Sequence, residues 1–541
     1  MNELSPKLWS CLKDYSKNDL MKDIISGLIV AIIALPLSIA LALASGVGPE
    51  KGIYTAIVAG FVIAAFGGSK VQVSGPTAAF ATIVAGIVAT KGISGLVIAT
   101  IMAGIILILM GVLKIGTWIK YIPYTIVTGF TAGIAVTIFI GQLKSFLGLT
   151  YEASAIHTMS KLSLVFNNMA TLNVASLLIG CLALAILIFW PKVNAKVPAS
   201  LIALIVTILI VKFGALDVKT IGSSYTITNA LPTFTMPSFD FNTISDLLPD
   251  AFTIAILAAI ESLLSCVVSD GMIGDKHNPN AELVGQGLGN IASALFGGIP
   301  ATGAIARTAA NVKSGGRSPI SAMVHALILL LILVVFMPYA ALIPMPTIAA
   351  ILFMVAFNMS GYHECFTVVK AAPKSDALVL IITFVLTVVF DLVVAIEVGM
   401  ILACLLFMKR MSDVTSVRKW DEVSYNPKNY ENLGKEILVY EVEGPMFFAA
   451  TDIFMHVSVD KDTKAVVLRM RSVPALDVSA IKLLKNFVGE CQKDGIKVII
   501  SQACKQPYDA LSKSGVVALV GEDNFKDNIH DAIDAAKLVV Q

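Results

Sequence analysis

Charged side chains are scarce in this sequence. Only 14% of its 541 residues are Asp, Glu, Lys or Arg, whereas 57% are hydrophobic, and about a quarter of the residues of an average soluble domain are charged. The formal net charge is +2, so the chain also lacks the basic excess that is typical of nucleic-acid binding. The composition predicts a polytopic α-helical membrane protein and argues against a nucleic-acid partner.

Cysteine pairs and catalytic groupings are missing as well. The seven cysteines are scattered along the chain, without a C-x-x-C pair or the spacing of metal ligands, so we expect neither disulfides nor zinc. The sequence holds no nucleophile motif with a matching base and no glycine-rich phosphate loop. We therefore expect that the protein is not an enzyme and needs no cofactor.

Long apolar runs are what the sequence has instead. They are long enough to cross about 30 Å of hydrocarbon, and they form two sets of seven on either side of a polar loop at 216–249. The first set begins near Ile24, Ile53, Gln72, Leu96, Ile122, Leu172 and Ala199, and the second near Ala251, Ala281, Thr302, Pro319, Ile343, Ala377 and Val393. We predict about 14 membrane spans on this criterion of length.

The amino-terminal end is polar and lysine-rich. Residues 1–23 hold four lysines, and the apolar run that follows is too long for the core of a signal peptide. By the positive-inside rule this tail is cytoplasmic. We expect a transmembrane transport domain at 24–411, in the plasma (inner) membrane.

The composition changes after Arg410. From Lys435 onward, short β-branched runs alternate with amphipathic helical segments, which is typical of a small α/β domain. We assign this domain to 435–541 and a polar linker to 412–434. With an even number of spans before it, the domain is also predicted to be cytoplasmic.

The two halves of the membrane domain share a broken segment. Residues 66–80 read FGGSKVQVSGPTAAF and residues 296–311 read FGGIPATGAIARTAAN. An odd number of spans per half means that two copies of one fold insert upside down relative to each other. We predict inverted repeats at about 24–213 and 250–411. Their third and tenth spans would each be an extended run followed by a half-helix, because proline and glycine disfavour a continuous helix there.

Arg307 is the charge in the second broken segment. An arginine at mid-membrane costs roughly 2.5 to 3.5 kcal/mol on insertion scales, so it normally marks function. Two half-helices that meet at their N-termini would favour an anion, and we expect Arg307, Thr77, Pro76 and Gly75 to line that site. Alternatives stay open for both residues: Arg307 could snorkel to an interface or pair with a carboxylate for structure only, and Thr77 could cap its own helix.

Glu261 lies in the middle of the otherwise uncharged run AFTIAILAAIESLLSCVVS. A carboxylate there is poorly solvated, so it is a candidate to exchange a proton. With Ser265 one turn later and the backbone carbonyls of Gly303 and Ile305, it could instead hold Na⁺ as a coupling ion. The structural alternative is a permanent ion pair with Arg307.

Three further polar residues carry weaker predictions. Asp391 and Glu397 lie where the last two apolar runs turn, so we expect them at the outer interface. His325 lies on a leucine-rich run and is expected to be a satisfied packing histidine rather than a proton relay.

These residues stand in motifs that resemble the SulP family of anion transporters, also called solute carrier family 26. The matching stretches are VGPEKGIYTA at 47–56, VSGPTAA at 73–79, NPNAELVGQGLGN at 278–290, FGGIPATGAIARTAAN at 296–311 and DLVVAIEVG at 391–399. The resemblance implies fourteen spans in two inverted repeats, a gate and a moving core domain, and a homodimer. The anion would bind between half-helices 3 and 10.

The resemblance also implies roles for single residues. The substrate-lining places of the family fall on Leu37, Leu41, Thr77, Ala306 and Arg307. Glu261 matches a position at which bacterial relatives carry an acidic residue for cation coupling, and its being a glutamate favours protons over sodium.

The carboxyl-terminal domain resembles STAS domains. There Val478 stands where related proteins have a phosphorylated serine, and Ser479 follows one residue later. The resemblance therefore favours docking of a cytoplasmic protein, or stabilisation of a dimer, over a phosphorylation switch.

The leading hypothesis is a secondary active transporter of a small inorganic or organic anion, such as sulfate, bicarbonate or a dicarboxylate, by symport with H⁺ or Na⁺. An uncoupled anion exchanger or channel is the main alternative. A membrane-tethered signalling scaffold would need no broken half-helices, and a nucleobase permease would not need Arg307.

Overall fold

The computed structural model describes residues 4–152, 155, 157–194, 197–237, 241–390, 392–420, 433–448, 459 and 462–541. The chain divides into two compact units, Met1–Met400 and Ile401–Gln541. Asp391 and most of the predicted linker lie outside the described residues.

The first unit is helical. Its elements are α1 Lys7–Cys11, α2 Lys17–Ala44, α3 Pro49–Phe66, β1 Ser74–Gly75, α4 Ala78–Val112, α5 Tyr124–Leu147, α6 Thr158–Asn167, α7 Val174–Val193, α8 Ala199–Phe213, α9 Ile221–Ser224, α10 Phe241–Ile273, α11 Pro279–Leu295, β2 Thr302–Gly303, α12 Ile305–Lys313, α13 Pro319–Ala340, α14 Met345–Met359, α15 Tyr362–Ala371, α16 Lys374–Val389 and α17 Leu392–Val414, which runs on into the second unit. Each predicted apolar run overlaps one of these helices, but the runs predicted to begin near Gln72 and Leu96 both fall on α4. Eight candidate spans in the described part are long and apolar enough to cross a membrane, and the count of fourteen stays a prediction.

Helix ends follow capping rather than hydropathy. α2 begins at Lys17, inside the segment predicted as a tail, because Ser16 and Asp19 form a capping box in which the Ser16 hydroxyl accepts from the Asp19 N–H at 3.1 Å. At the other end α17 continues to Val414, beyond the predicted boundary at 411. The apolar runs therefore locate the helices but not their first and last turns.

The helices of the first unit pack in two groups. One group joins α2, α3, α4, α10, α11, α12 and α13, and the other joins α5, α7, α8, α14 and α16. The first group is tight at its centre: a Cβ on Gly104 of α4 would lie 2.7 Å from the Gly287 carbonyl oxygen of α11. Glycine there lets two helix backbones touch, as is common between membrane helices.

The broken segments lie within the first group. Strand β1 pairs antiparallel with β2, with Ser74 opposite Gly303 and Gly75 opposite Thr302. Each strand is followed within three residues by a helix, α4 or α12, as predicted. α4 has helical backbone up to Gly92, whose φ of +72° breaks it into two helical parts.

The second unit is a five-stranded sheet with helices. The strands are β3 Ser416–Lys419, β4 Ile437–Glu443, β5 Ala465–Ser472, β6 Lys497–Ser501 and β7 Phe525–Lys526, and the helices are α18 Val478–Lys493, α19 Lys505–Lys513, α20 Val516–Val520 and α21 Ile529–Val540. The strand order is β3-β4-β5-β6-β7, and all pairs except β3 with β4 are parallel. Both faces are covered: alternate residues of β4 and β5 pack against α18 to α20 on one side and α21 on the other. This is why these strands read as unbroken apolar runs.

Strand β3 lies inside the segment predicted as a linker. Its residues pair with β4, from Ser416 opposite Glu443 to Lys419 opposite Tyr440. The sequence SVRK has no apolar alternation long enough to predict a strand, because an edge strand paired on one side can stay polar. The sheet therefore begins before 435.

Candidate functional site

The site is built on backbone that is not helical. Residues in and beside β1 and β2 must find hydrogen bonds away from water, since unsatisfied backbone groups are costly in a membrane. The Asn290 side chain supplies two: its Nδ2 donates to the Ala301 carbonyl, and its Oδ1 accepts from the Ala301 N–H, both at 2.9 Å. Asn311 Nδ2 donates to the Val71 carbonyl at 2.8 Å, and Thr308 Oγ1 accepts from the Val73 N–H at 3.1 Å. Side chains thus replace the missing helical partners.

Two helices begin beside this ladder. The residues before them, Thr77 and Ala304, have extended backbone, and neither side chain caps its helix. The first N–H groups of each helix have no partner within the helix, and the helix dipole adds partial positive charge at that end. The structure therefore gives the site two positive helix ends, and Thr77 does not take the predicted alternative of capping α4.

Arg307 lies in the first turn of α12 and is 2% exposed. Its Nη2 donates to the Pro76 carbonyl at 3.1 Å and lies 3.4 Å from the Ser38 hydroxyl, while its Nη1 is buried without a partner among the described residues. A Cβ on Gly75 would lie 2.5 Å from Nη1, so glycine there leaves room for the guanidinium. One edge of Arg307 is anchored, and an N–H donor of Nη1 remains for a ligand.

Glu261 contacts a hydroxyl and not the arginine. Its Oε2 accepts from Thr77 Oγ1 at 2.9 Å, and the side chain is partly exposed. Within the described part of the chain no ion pair joins Glu261 to Arg307 within 4.0 Å. The permanent ion pair that the sequence left open as an alternative is therefore absent from this structure.

The other candidate ligands of a coupling ion lie around the same helices. Ser265 is one turn after Glu261 and its hydroxyl lies 3.4 Å from Thr308 Oγ1, Gly303 is part of β2, and Ile305 opens α12 with a side chain 45% exposed. Carboxylate, hydroxyl and carbonyl oxygens are donors that suit a hard cation. The donor set therefore fits Na⁺ chemically, although Ser265 and Glu261 have different hydrogen-bond partners here.

The remaining predicted lining residues differ in exposure. Leu37 is partly exposed and Ala306 is exposed, whereas Leu41 is 4% exposed. Ser38 follows Leu37 and reaches Arg307, which places this turn of α2 beside the site. A lining role for Leu41 stays a prediction.

Sequence reasoning missed several residues that hold the site. Ser38, Thr308, Asn290 and Asn311 have buried, hydrogen-bonded side chains. A signal was available, because all four are polar residues within or beside apolar runs, where polar groups need partners. Their partners could not be read from the sequence.

The weaker predictions have mixed outcomes. His325 is fully buried, but neither ring nitrogen has a hydrogen-bond partner in the described chain, so it is not the satisfied histidine that we expected. Glu397 is exposed on α17, and Asp391 lies outside the described residues.

Fold and site together define a multi-pass membrane transporter with a separate α/β domain. The family model described as "Sulfate permease family" matches residues 20–383, and the model described as "STAS domain" matches residues 431–532. The chain belongs to the sulfate permease family, as its motifs indicated.

Individual relatives agree over nearly the whole length. YvdB of Bacillus subtilis strain 168 is 40% identical over 532 residues, covering 96% of this chain and 98% of YvdB. The bicarbonate transporter BicA of Synechocystis is 33% identical over 543 residues, covering 96% of this chain and 95% of BicA. These relatives are named as transporters, so the chain is a transporter and not an enzyme.

Solved structures show the same fold. A structure of murine Slc26a9 in the inward-facing state matches with a TM-score of 0.88 at 19% identity, covering 98% of this chain and 94% of that one. The transmembrane domain of a cyanobacterial BicA matches with a TM-score of 0.63 at 31% identity, covering 72% of this chain and 98% of that one.

Proposed function

We propose that this protein takes up a small anion by symport with H⁺ or Na⁺, by alternating access around a mid-membrane site between the half-helices that start α4 and α12. The observation that carries the proposal is Arg307, buried at the start of α12 with one guanidinium nitrogen unpartnered among the described residues. A buried positive charge without a carboxylate partner needs an anion to neutralise it.

The proposed substrates are sulfate, bicarbonate or a dicarboxylate. Their oxygens accept hydrogen bonds from a guanidinium and from the N–H groups of helix ends. The names of the relatives support the first two, since YvdB is named for sulfate and BicA for bicarbonate.

Glu261 is the proposed carrier of coupling. Its carboxylate accepts a hydrogen bond from Thr77, the residue before α4, and is thereby connected to the start of that half-helix. Its one hydroxyl donor leaves carboxylate oxygen free to take up a proton or to contribute to a Na⁺ site with Ser265, Gly303 and Ile305.

The wider arrangement follows the family. We propose that both termini are cytoplasmic, that the protein lies in the plasma (inner) membrane, and that it forms a homodimer. The STAS domain would dock a cytoplasmic protein or stabilise the dimer, since Val478, 81% exposed at the start of α18, has no hydroxyl for a phosphoryl group.

The test is uptake into proteoliposomes that contain the full-length protein. Labelled sulfate, bicarbonate and a dicarboxylate are offered without a gradient, with an inward proton gradient and with an inward sodium gradient. Accumulation of one anion above its external concentration under one gradient supports the symporter. Equilibration that no gradient drives would favour the uncoupled exchanger or channel.

Arg307 is tested in the same assay. Arg307→Ala should abolish uptake of every anion that the wild type carries, and Arg307→Lys should retain a small part of it, because lysine keeps the charge but loses the planar fork of donors. Arg317→Ala is the matched control, since the Arg317 guanidinium donates to backbone carbonyls near its own position, those of Val312 and Gly316, and the backbone N–H that donates to Asp23 is kept in the variant. Unchanged affinity in folded Arg307→Ala would remove the basis of the proposal.

A further inference from the structure

A buried carboxylate that the proposed function does not use lies in the membrane domain, at Glu282 on α11. It is 1% exposed. Its Oε1 accepts from Gln72 Nε2 at 2.6 Å and from Gln286 Nε2 at 2.8 Å, and its Oε2 accepts from the Gly68 N–H at 2.9 Å. All three donors are N–H groups, and together they occupy three of the roughly four lone-pair sites of the carboxylate.

Glu282 and Glu261 differ in a way that separates their roles. Glu261 is partly exposed and accepts one bond from a hydroxyl, whereas Glu282 is enclosed and accepts three bonds from N–H groups. A group that must bind and release a cation needs access and an open coordination position. Glu282 lacks access and has most of its lone-pair sites occupied, so its contacts suit a permanent structural link rather than exchange.

The donors of Glu282 lead directly to the site. Gly68 and Gln72 lie on the non-helical stretch between α3 and β1, and Gln286 Nε2 also donates to Ser74 Oγ, at 3.1 Å. Ser74 is the β1 residue opposite Gly303. One carboxylate therefore holds three points of the segment 68–74, directly or through Gln286.

The same network reaches the helix that carries Glu261. Cys266 of α10 lies with its Sγ 3.1 Å from Gln72 Oε1 and is fully buried. Gln72 thus accepts from α10 on one side of its amide and donates to Glu282 on the other. The segment entering β1 is fixed relative to both α10 and α11.

We propose that Glu282 is a positioning residue for the transport site. It holds the non-helical residues 68–75 in place, so that the next two residues present the Pro76 carbonyl to Arg307 and the Thr77 hydroxyl to Glu261. Glu282 touches neither anion nor coupling ion in this assignment. The inference uses the proposed function for one of its two readouts and does not depend on which anion is carried.

Glu282→Gln is the diagnostic change, because it keeps the shape of the side chain but replaces one acceptor oxygen by an NH₂ donor. If the remaining side-chain oxygen faces Gln72 and Gln286, the new NH₂ group faces the Gly68 N–H. Two hydrogen-bond donors then point at each other. A buried donor left without its acceptor should lower the equilibrium constant for keeping residues 68–77 in this arrangement by about tenfold or more. We expect residues 68–77 to loosen and the anion site to lose affinity.

The first readout is hydrogen exchange of full-length purified protein, followed by mass spectrometry. Glu282→Gln should exchange faster than wild type in peptides covering 68–77. Glu50→Gln is the matched control: Glu50 is also a carboxylate of the membrane domain with a buried oxygen, and that oxygen has no hydrogen-bond partner among the residues that the structure describes. Equal exchange over 68–77 in wild type and Glu282→Gln would overturn the assignment, whatever the protein transports.

The second readout is uptake of labelled sulfate and bicarbonate into proteoliposomes. Glu282→Gln should raise KM about tenfold, in keeping with the cost of an unpaired buried donor, and keep the wild-type dependence of accumulation on proton or sodium gradients. Loss of gradient dependence with an unchanged KM would make Glu282 a coupling group and refute the positioning role. If wild type takes up none of sulfate, bicarbonate and a dicarboxylate, the proposed function fails, and hydrogen exchange alone decides the role of Glu282.

A second variant covers the case in which Glu282→Gln does not fold. Gln72→Leu removes one donor and the Cys266 contact but leaves the carboxylate bonded to Gln286 and Gly68. It should raise exchange over 68–77 and raise KM in the same direction. Wild-type exchange and KM in Gln72→Leu would also count against the proposal.

Discussion

Single hydrogen bonds at Pro76 and Thr77 connect the two charged residues of the site. Pro76 accepts from Arg307 through its carbonyl, and Thr77 donates to Glu261 through its hydroxyl. Because Pro76 and Thr77 are adjacent in the chain, the Arg307 guanidinium and the Glu261 carboxylate are hydrogen-bonded to neighbouring residues. When a ligand binds to or leaves Arg307 or Glu261, the change can reach the other residue through the backbone of Pro76 and Thr77.

Glu261→Gln tests the coupling role at this scale. Glutamine resembles a protonated glutamate in shape and lacks charge, so the variant should still bind and exchange the anion but lose accumulation driven by a gradient. Uptake is measured in vesicles under separately imposed proton and sodium gradients. Sodium-dependent uptake that Ser265→Ala also weakens would identify the ion as Na⁺.

The control for Glu261→Gln is Glu364→Gln, because Glu364 also accepts from a hydroxyl, that of Tyr124 at 2.7 Å, but at an exposed position. Glu364→Gln should accumulate the anion as wild type does. Glu261→Gln that concentrates the anion as steeply as wild type under both gradients would show that Glu261 is structural.

At the scale of elements, the two-residue strands β1 and β2 depend on helices that lie beside them. Two strand residues on each side cannot form a stable ladder alone. Asn290 on α11, Asn311 and Thr308 on α12 and Thr55 on α3 bond the flanking backbone. The broken segments are thus held by side chains that come from helices of both halves.

Asn290→Ala tests this dependence. It leaves the N–H and the carbonyl of Ala301 without their partners, and each buried unpaired group costs about 1–3 kcal/mol. We expect a lower melting temperature in detergent and weaker anion uptake. Asn168→Ala is the control, since Asn168 donates only to the Leu164 carbonyl one turn back. Equal melting of the two variants would show that Asn290 is dispensable to the segment.

At the scale of the whole molecule, the second unit has a core of its own on each face of its sheet. Expressed alone, 435–541 should be soluble and melt cooperatively. A longer fragment, 412–541, should melt at a higher temperature, because it includes β3, which covers the edge of β4. Thermal unfolding followed by circular dichroism makes the comparison. Identical melting of the two fragments would mean that β3 contributes no stability, and an aggregated shorter fragment would place the domain boundary before 435.

The sequence predicted those features of the membrane domain that depend on short stretches of chain. Apolar runs located the helices, and proline and glycine located the breaks before Ala78 and Ile305. Arg307 and Glu261 were predicted as site residues because charge is costly in a membrane wherever it lies. The helix start at Lys17 and strand β3 escaped prediction, since they depend on a cap and on pairing to a distant strand.

By itself, then, the sequence determined the class of protein and the presence of a separate α/β domain, and it predicted Arg307 and Glu261 as the charged residues of the candidate site. Hydropathy, turn residues and the cost of buried charge are local properties, and they can be read along the chain. Only the tertiary structure decided that Arg307 contacts Pro76 and Ser38 rather than Glu261, and that Glu282 accepts from three N–H donors while Glu261 accepts from one hydroxyl. Those outcomes depend on which polar groups meet when the helices pack. Most of these partners are more than two hundred residues apart in the sequence, so the distance and direction between them exist only in the folded protein.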